Sequence, residues 1–521
     1  MSAGVLVRRT LRGATALPVG RLRRPSPYQV FGGLFWLVMT LAFWRIPLCC
    51  DAGQHAAVVE RLRADLLHPA HSMADLPGTG SPYYGPYAVA QGVFARLTGL
   101  SGWEVLRLAG PLHLAVLLTG VGRFVRVLTP RPWAPVLALP AMTLLWGTDR
   151  ILWSGYLGLM SMTTNISYPS AFAIGLTFWA WALTGRRACE RDAPVRYVGP
   201  SGLGGWWGYA GIGALYGLIL LIHPVTAVSA ATGAVAVVAA RQRDWRWPVA
   251  ARWALAAASA LVLALVWPYY DVLSLSGDTG MDGMHRRLYE QLAGNSWLAL
   301  IGAPALWWRG RRSARDPLVL MFALGCLVLL YGWVSGHYTY ARALWAALVP
   351  LQFALAVELA APRPWGSVRK VLGATAVVWA CVGFFTVQAG AVVPRALDPV
   401  GFEQPPRWPT YGWAARYIGR GEVVLTDDYT ASHLIAGYGP NLAAPIWPDP
   451  ALDERERRRR GADVRAYFSP DATPARRAAL VRRYHARWLL LTRGRPVPPE
   501  AVVVARSRRT GEVLARVGAG T

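Results

Sequence analysis

The sequence predicts an α-helical protein that crosses a membrane about eleven times and ends in a small extracytoplasmic α/β domain. Three observations support this fold class. Of the 521 residues, 54% are hydrophobic and only 16% are charged, against about 25% in ordinary soluble domains. Apolar segments close to the length that spans a bilayer recur up to residue 393. Arginines cluster in alternate connections between these segments, as the positive-inside rule predicts for cytoplasmic loops.

The N-terminal segment, residues 1–27, is basic and is predicted to lie in the cytoplasm. Its arginines precede an apolar run that begins near Tyr28. No small-residue cleavage site follows this run, which favours an uncleaved signal anchor over a secretory signal peptide.

The membrane domain is predicted to cover residues 28–393. Its apolar segments are 28–48, 104–127, 133–147, 166–184, 205–222, 225–240, 249–270, 296–308, 317–335, 341–359 and 371–393. The third and eighth are short, and an apolar stretch at 151–163, broken by two glycines, fits a half-span or a re-entrant piece. Basic residues in alternate connections place the N-terminus inside, and an odd number of spans places the C-terminus outside.

A proline-rich linker at 394–410 is predicted to join the membrane domain to an α/β domain at 411–521. Strands are predicted at 423–426, 488–491 and 502–504, the last paired with 512–517, and helices at 429–436, 453–467 and 474–485. Short strands that alternate with helices favour a parallel or mixed sheet.

Asp51 opens a long polar loop, predicted at residues 49–103, between the first two spans. A connector needs only a few residues, so a loop of this length with a carboxylate at the membrane surface indicates chemistry there. If the segment after Asp51 is helical, Asp51 and His55 share a face. Asp51 is then a candidate general base toward a hydroxyl group, and the alternative is that it caps the helix. His55 is either an orienting residue or an interfacial histidine.

Arg342 begins the tenth predicted span on the outer side, where the positive-inside bias does not explain an arginine. A guanidinium group matches phosphate geometry, so Arg342 is a candidate clamp for a lipid phosphate. The alternative is a side chain that extends to the outer head groups. Arg286 and Arg287, in another outer connection, are further candidates for the same role.

Histidines and tyrosines also collect on the predicted outer face. The candidate binding residues among them are His55, Tyr83, Tyr84, His223, Tyr269, Tyr270 and His337. The tyrosines could line a groove for a sugar or a lipid, or could belong to the interfacial aromatic belt. His223 precedes Pro224 in a hairpin turn, and a bare turn does not require a histidine. An active site is therefore expected to face outward.

Several classes of function are disfavoured by what the sequence lacks. It contains no Walker A motif, no GxSxG, no HExxH and no clear ligand set for a metal, so no cofactor is expected, and a divalent metal is left open as the alternative. An activated donor is therefore expected to arrive as a membrane lipid rather than as a soluble nucleotide. The net charge of +26 is explained by arginines in short loops, so no nucleic-acid partner is expected.

With these residues identified, the chain resembles the membrane glycosyltransferases of the C superfamily, which share the GT-C fold. That class includes the protein mannosyltransferases, the aminoarabinose transferases and the actinobacterial cell-wall glycosyltransferases. Besides the C-terminal α/β domain, the resemblance rests on the segments Asp51-Ala-Gly-Gln-His55, Tyr83-Tyr84-Gly-Pro-Tyr87, Ser154-Gly-Tyr-Leu157, Tyr168-Pro-Ser170 and His223-Pro-Val-Thr226.

The resemblance implies that Asp51 is the catalytic base, that the donor is a polyprenyl-phosphate sugar and that Arg342 holds the donor phosphate. The expected reaction is an inverting transfer of a sugar to a glycan, lipid or protein acceptor at the outer face of the cell membrane. Two alternatives remain. A non-catalytic envelope scaffold would tolerate replacement of Asp51 and Arg342, and a lipid-sugar flippase would carry inverted repeats and polar residues at mid-membrane depth.

Overall fold

The protein is described here by a computed structural model that covers residues 24–76, 81–189, 205–275, 277, 279–362, 366–449 and 451–518. Most of the predicted basic segment at 1–27 lies outside these residues. The chain is mainly helical up to residue 392 and carries a small sheet near the C-terminus. Both features agree with the predicted fold class.

The helical part is built from α1 to α17. Their bounds are α1 Pro27–Arg45, α2 Ala52–Ala64, α3 Pro86–Thr98, α4 Gly102–Leu128, α5 Ala134–Leu144, α6 Leu159–Asn165, α7 Pro169–Arg187, α8 Trp206–Ile222, α9 Pro224–Arg241, α10 Trp247–Leu265, α11 Asp282–Glu290, α12 Leu292–Ser296, α13 Ala303–Arg312, α14 Pro317–Ser335, α15 Leu344–Leu359, α16 Ser367–Gly383 and α17 Ala389–Val392. A 3-10 helix at Tyr338–Ala343 leads directly into α15.

Among the described residues, seven helical segments are long and apolar enough to cross a membrane. They are α1, α4, α9, α10, α14, Tyr338–Leu359 and Ser367–Val392. Helices α6 and α7 pass the same test as a pair bent by 118°, and α5 and α8 are shorter apolar helices. The protein is therefore a multi-pass membrane protein, whereas the total of eleven spans and their orientation stay predictions.

Two irregular segments show how the apolar patterns fold. The stretch at 151–163 contains an irregular run with a turn at residues 154–155 and then the start of α6, whose residues are all buried, so the broken apolar pattern belongs to the protein interior. The segment expected to form the eighth span instead contains a 3-10 helix, Trp297–Gly302, and the start of α13. Helix α13 ends in three arginines and is not among the long apolar helices.

The C-terminal part folds around a five-stranded mixed sheet. Its elements are α18 Gly412–Ala415, β1 Val423–Leu425, α19 Tyr429–Leu434, β2 Asn441–Leu442, α20 Glu454–Tyr467, α21 Pro474–Arg483, β3 Ala486–Leu491, β4 Ala501–Arg506 and β5 Val513–Val517. The strand order is β2-β1-β3-β5-β4, with β1 parallel to β2 and β3, and β5 antiparallel to β3 and β4. The predicted strands and their pairing are confirmed. Strand β2 was not predicted, because two residues are too short for a periodic pattern.

The predicted outer loop is folded and packs against the C-terminal part. Helix α2 is almost entirely buried. The Arg61 guanidinium donates hydrogen bonds to the carbonyl oxygens of Gly439 and Pro440 and to the Asn441 side chain, at 2.6–2.8 Å. Farther along the loop, His71 Nε2 lies 3.2 Å from the Asp449 carboxylate. These buried contacts hold the C-terminal end of α2 and the loop after it against residues 439–449 of the C-terminal part.

Gly53, the second residue of α2, lies where α2 and α19 approach each other most closely. A Cβ atom at Gly53 would lie 2.0 Å from the His433 carbonyl oxygen and 2.6 Å from the Leu434 Cα. Both atoms belong to backbone and cannot rotate away. We expect Gly53→Ala to lower the free energy of unfolding by about 1–3 kcal/mol, as overpacking does, and a thermal melt of the purified protein measures the loss.

Gly283→Ala is the matched control for this prediction. Gly283 is also the second residue of a helix, α11, and no atom of the described residues beyond its own neighbours lies within 4 Å of the position that its Cβ would take. Alanine is the better helix former, so this substitution is expected to leave the melting temperature unchanged or raise it slightly. Equal melting temperatures for the two variants would show that the α2–α19 contact adapts without cost.

Candidate functional site

Asp51 lies at the N-terminal end of α2, directly after Cys50, whose φ of 60° turns the chain into the helix. The side chain of Asp51 makes no capping hydrogen bond. The capping role that the sequence left open is therefore not the one that the structure adopts. Burial raises the pKa of the Asp51 carboxyl to about 6, and the positive charge of Arg342 limits that rise.

Arg342 lies within electrostatic range of this carboxylate, in the 3-10 helix that precedes α15. Its Nη2 donates to the Ser154 carbonyl oxygen at 3.1 Å and to the Ser154 hydroxyl at 2.6 Å. Its Nε is buried and has no hydrogen-bond partner in the described part of the chain. Ser154 thus fixes one edge of the guanidinium, and the group keeps N–H donors for a further acceptor.

His55 follows Asp51 by one helical turn, as the sequence predicted. Its ring centroid lies 4.8 Å from that of Tyr168 and 6.1 Å from that of Tyr83. Burial, reinforced by the charge of Arg342, lowers the pKa of His55 to about 3. The imidazole is therefore neutral at physiological pH and can donate or accept one hydrogen bond.

His223 joins the same group from the turn between α8 and α9. Its Nδ1 accepts the backbone N–H of Thr226 at 3.2 Å. A neutral imidazole that accepts at Nδ1 carries its proton on Nε2. Arg342, His55 and His285 all lie within electrostatic range of His223, so this neutral imidazole belongs to the group of polar residues around Arg342.

His285 belongs to this group, although the sequence pointed to the arginines beside it. Its Nδ1 lies 3.0 Å from the Thr339 hydroxyl, and Thr339 donates its hydroxyl and its backbone N–H to Asp282, each at 2.8 Å. Burial and the charge of Arg342 lower the pKa of His285 to about 3. On α11, His285 and Leu288 are buried and three residues apart, and this helical spacing was the available signal.

Arg286 and Arg287 lie on the opposite, exposed face of α11. Arg286 forms an ion pair with Glu290 at 3.1 Å. His337 lies 3.4 Å from the Asp282 carboxylate and stacks on Tyr331. No contact among the described residues joins these three predicted binding residues to Asp51.

The four candidate tyrosines divide into two groups. Tyr83 lies beside His55 and within electrostatic range of both Asp51 and Arg342. The hydroxyl groups of the other three donate to backbone carbonyl oxygens: Tyr84 to Ala70, Tyr269 to Leu66 and Tyr270 to Leu221. Tyr83 therefore belongs to the site, and the other three hold the surrounding loops together.

Two residues of the site were quoted only as parts of motifs in the sequence. Ser154 anchors Arg342, and the Tyr168 hydroxyl donates to the Cys49 carbonyl oxygen at 2.7 Å, two residues before Asp51. Both lie in segments that flank α6, so only folding brings them to α2. Within the described ranges, no three His, Cys, Asp or Glu residues are grouped so that they could hold a metal ion.

An apolar cavity of about 760 Å³ lies between α8, α9 and α10. Its lining is mostly alanine and other aliphatic side chains. Leu220 and Pro224 lie at one end, and Trp245 and Trp253 lie at the other. Because Pro224 follows His223 directly, the cavity begins beside the polar group around Arg342.

The comparisons with known proteins give a match in structure only. No family model matches the chain, and no curated protein matches it in sequence. The fold is similar to that of a mutant form of the arabinofuranosyltransferase AftD from Mycobacteria, with 16% identity and a TM-score of 0.58 over 95% of this chain. This chain spans 41% of the length of that protein.

A second similar structure is that of ArnT from Cupriavidus metallidurans bound to undecaprenyl phosphate. It shares 14% identity with a TM-score of 0.53, and the match covers 94% of this chain and 98% of that one. These likenesses show that the chain has the fold of the GT-C glycosyltransferases, which confirms the fold expected from the resemblance.

Proposed function

We propose that this GT-C-fold protein is a glycosyltransferase that moves a sugar from a polyprenyl-phosphate donor to an acceptor hydroxyl group at the outer face of the cell membrane. The observation that carries the proposal is that Asp51, a carboxylate that makes no capping bond, lies within electrostatic range of Arg342, a guanidinium whose Nε has no partner among the described residues. The first can take a proton and the second can hold an anion, which are the two tasks of this reaction.

The reaction follows from these two groups. Asp51 accepts the proton of the acceptor hydroxyl while the oxygen attacks the anomeric carbon of the donor sugar. The bond from that carbon to the phosphate oxygen breaks, polyprenyl phosphate leaves, and the configuration at the anomeric carbon inverts. Arg342 stabilises the negative charge that develops on the phosphate, and the His223 Nε2–H supplies a neutral donor beside it.

The apolar cavity supports a lipid-linked donor. It begins at Pro224, next to His223, so a phosphate held by Arg342 would have its prenyl chain at the entrance of an apolar channel. The ArnT structure, of the same fold, holds undecaprenyl phosphate. A soluble nucleotide sugar has no apolar chain that could occupy this cavity of about 760 Å³.

The test is a transfer assay with membranes that overproduce the protein. Polyprenyl-phosphate sugars labelled in arabinose, mannose or aminoarabinose are supplied one at a time, and label is counted in the polysaccharide, lipid and protein fractions. We expect one donor to give label above control membranes. Absence of transfer from every donor, with protein that melts cooperatively and membranes that supply all three acceptor fractions, would contradict the proposal.

The pKa of Asp51 predicts how transfer depends on pH. The base must be ionised to accept a proton, so the rate should rise with pH, reach half of its plateau near pH 6 and fall to about a tenth of it one pH unit lower. Initial rates between pH 4.5 and 8, at constant ionic strength, measure the profile. A rate that is flat between pH 5 and 8 would exclude a base with this pKa.

A further inference from the structure

A group of aromatic side chains covers the part of the C-terminal domain that contacts α2. We call it the His433 cluster, because the rings of Trp408, Tyr429 and Trp447 surround His433 with centroid distances of 5.4, 4.2 and 5.1 Å. Trp408 and Tyr429 also contact each other at 5.6 Å. The Tyr429 ring is 62% exposed, which is unusual for a large aromatic side chain inside such a cluster.

The His433 cluster lies next to the proposed catalytic base. Gly53, two residues after Asp51, contacts the His433 backbone so closely that a Cβ atom would not fit. The Asp51 carboxylate is within electrostatic range of the Tyr429 hydroxyl. Tyr429 and Asp51 therefore belong to one neighbourhood, joined by the contact of Gly53 with His433.

Two polar atoms in the cluster lack partners. The His433 Nδ1 donates to the Tyr429 carbonyl oxygen at 2.6 Å, so in the neutral ring Nε2 is an acceptor. This Nε2 is buried, in a side chain that is 1% exposed, and no described residue bonds to it. The Trp447 Nε1–H is likewise buried without an acceptor among the described residues. A buried polar atom of this kind is satisfied by a ligand or by a water molecule.

One unpaired acceptor beside one unpaired donor is complementary to a hydroxyl group, which both donates and accepts. A water molecule would satisfy the same two atoms, but it would not cover the exposed Tyr429 ring. A sugar ring does both, since it presents hydroxyl groups at its edge and a C–H surface on its face. A lipid chain would leave both polar atoms unpaired, and a peptide would not need a flat aromatic surface.

We propose that the His433 cluster is the acceptor subsite and that the acceptor is a carbohydrate. One sugar ring of the acceptor would stack on Tyr429 and Trp408. One of its hydroxyl groups would bridge Trp447 and His433, and another would be presented to Asp51. This inference rests on the proposed function, and it narrows the acceptor to a glycan chain or a glycolipid head group.

The test measures sugar binding rather than transfer, so that it does not depend on the proposed activity. The full-length protein, in a detergent without a sugar head group, is mixed with methyl α-D-arabinofuranoside or methyl α-D-mannopyranoside at millimolar concentration. Saturation-transfer difference NMR then reports contact between protein and sugar protons. We expect signals from the ring protons with the wild-type protein and a loss of at least about fivefold with Tyr429→Ala, since stacking on one aromatic ring is worth about that factor or more.

Matched variants separate the subsite from general effects. Tyr417→Ala removes another exposed tyrosine of the same domain, 41% exposed, and should leave the signals unchanged. Trp447→Phe keeps an aromatic ring but removes the N–H group, and should weaken binding about fivefold, as loss of one hydrogen bond does. Melting temperatures of all variants are compared with that of the wild type.

Three outcomes would overturn the proposal. The first is no signal from either sugar with the wild-type protein. The second is a signal that survives in both Tyr429→Ala and Trp447→Phe. The third is a Tyr429-dependent signal from a serine- and threonine-rich peptide, tested in parallel, in place of the sugars. Sugar binding at Tyr429 without any transfer activity would uphold the subsite and contradict the proposed reaction, so the two failures are distinguishable.

Discussion

Asp51→Asn is expected to lower the rate of sugar transfer about a thousandfold without loss of the fold. Asparagine has the same shape as aspartate but cannot accept a proton from the attacking hydroxyl, and positioned acid–base groups contribute about 10²- to 10⁴-fold. The Asp51 side chain caps no helix, so its replacement removes no capping bond. The measurement is the transfer assay with equal amounts of wild-type and variant protein.

The sign of the pKa shift makes the stability of this variant informative. Because the folded protein holds the pKa of Asp51 above its ordinary value, ionisation of Asp51 destabilises the folded state at pH values above about 6. Asp51→Asn should therefore melt at the same temperature as the wild type, or higher, at pH 7.5. If Asp51 were needed for the structure, Asp51→Asn would melt at a lower temperature than the wild type.

Asp65→Asn provides the control on the same helix. Asp65 lies at the exposed C-terminal end of α2 and accepts the backbone N–H groups of Leu67 and His68, and an asparagine oxygen can accept both. Its activity should equal that of the wild type. If Asp51→Asn kept more than about a tenth of the activity, the catalytic base would be another residue. If no variant changed the function at all, a scaffold or flippase role would be favoured instead.

Arg342→Gln is the substitution with the second largest expected effect, a loss of about 10²- to 10³-fold in transfer. Loss of one positioned donor to a developing anion costs about this much, and Arg342 has donor groups that no described residue uses. Arg286→Gln, at an exposed arginine paired with Glu290, should leave the rate within about twofold of the wild-type value.

A second readout separates an electrostatic role of Arg342 from a structural one. Since the charge of Arg342 lowers the pKa of Asp51, its removal should move the midpoint of the pH–rate profile above 6. Arg342→Lys keeps the charge but changes the contact with Ser154, so its midpoint should stay near 6 while its rate falls. An unchanged midpoint in Arg342→Gln would show that the two side chains are not coupled.

Local patterns predicted much of the fold. Apolar runs located the membrane-spanning helices, because a bilayer requires about 20 apolar residues in one segment. Alternating short strands and helices predicted the mixed sheet, because β1 and β3 are apolar runs bounded by turn residues. The third, fifth and eighth predicted spans coincide with the shorter helices α5, α8 and α13, so the number of spans stays a prediction.

The face of a short helix on which a given residue lies was harder to predict. On α11 the sequence offered Arg286 and Arg287 as further candidates for binding an anion, but the helix turns His285 inward and both arginines outward. Which face of a short helix is buried depends on what packs against it. Here Thr339 and Trp153 contact His285, and neither is close to it in sequence.

The sequence by itself determined that this protein is helical and membrane-embedded and that a small mixed sheet follows. It also indicated Asp51 as a candidate base and Arg342 as a candidate phosphate-binding residue. These conclusions depend on hydropathy, periodicity and charge, which are properties of neighbouring residues. Only the tertiary structure decided that Asp51 does not cap its helix, that it lies within electrostatic range of Arg342, and that Ser154, His223 and His285 lie near that arginine. It also assembled the His433 cluster from four residues between 408 and 447 and placed it against Gly53. Contacts between distant residues arise when buried elements pack, and no local pattern in one sequence records them.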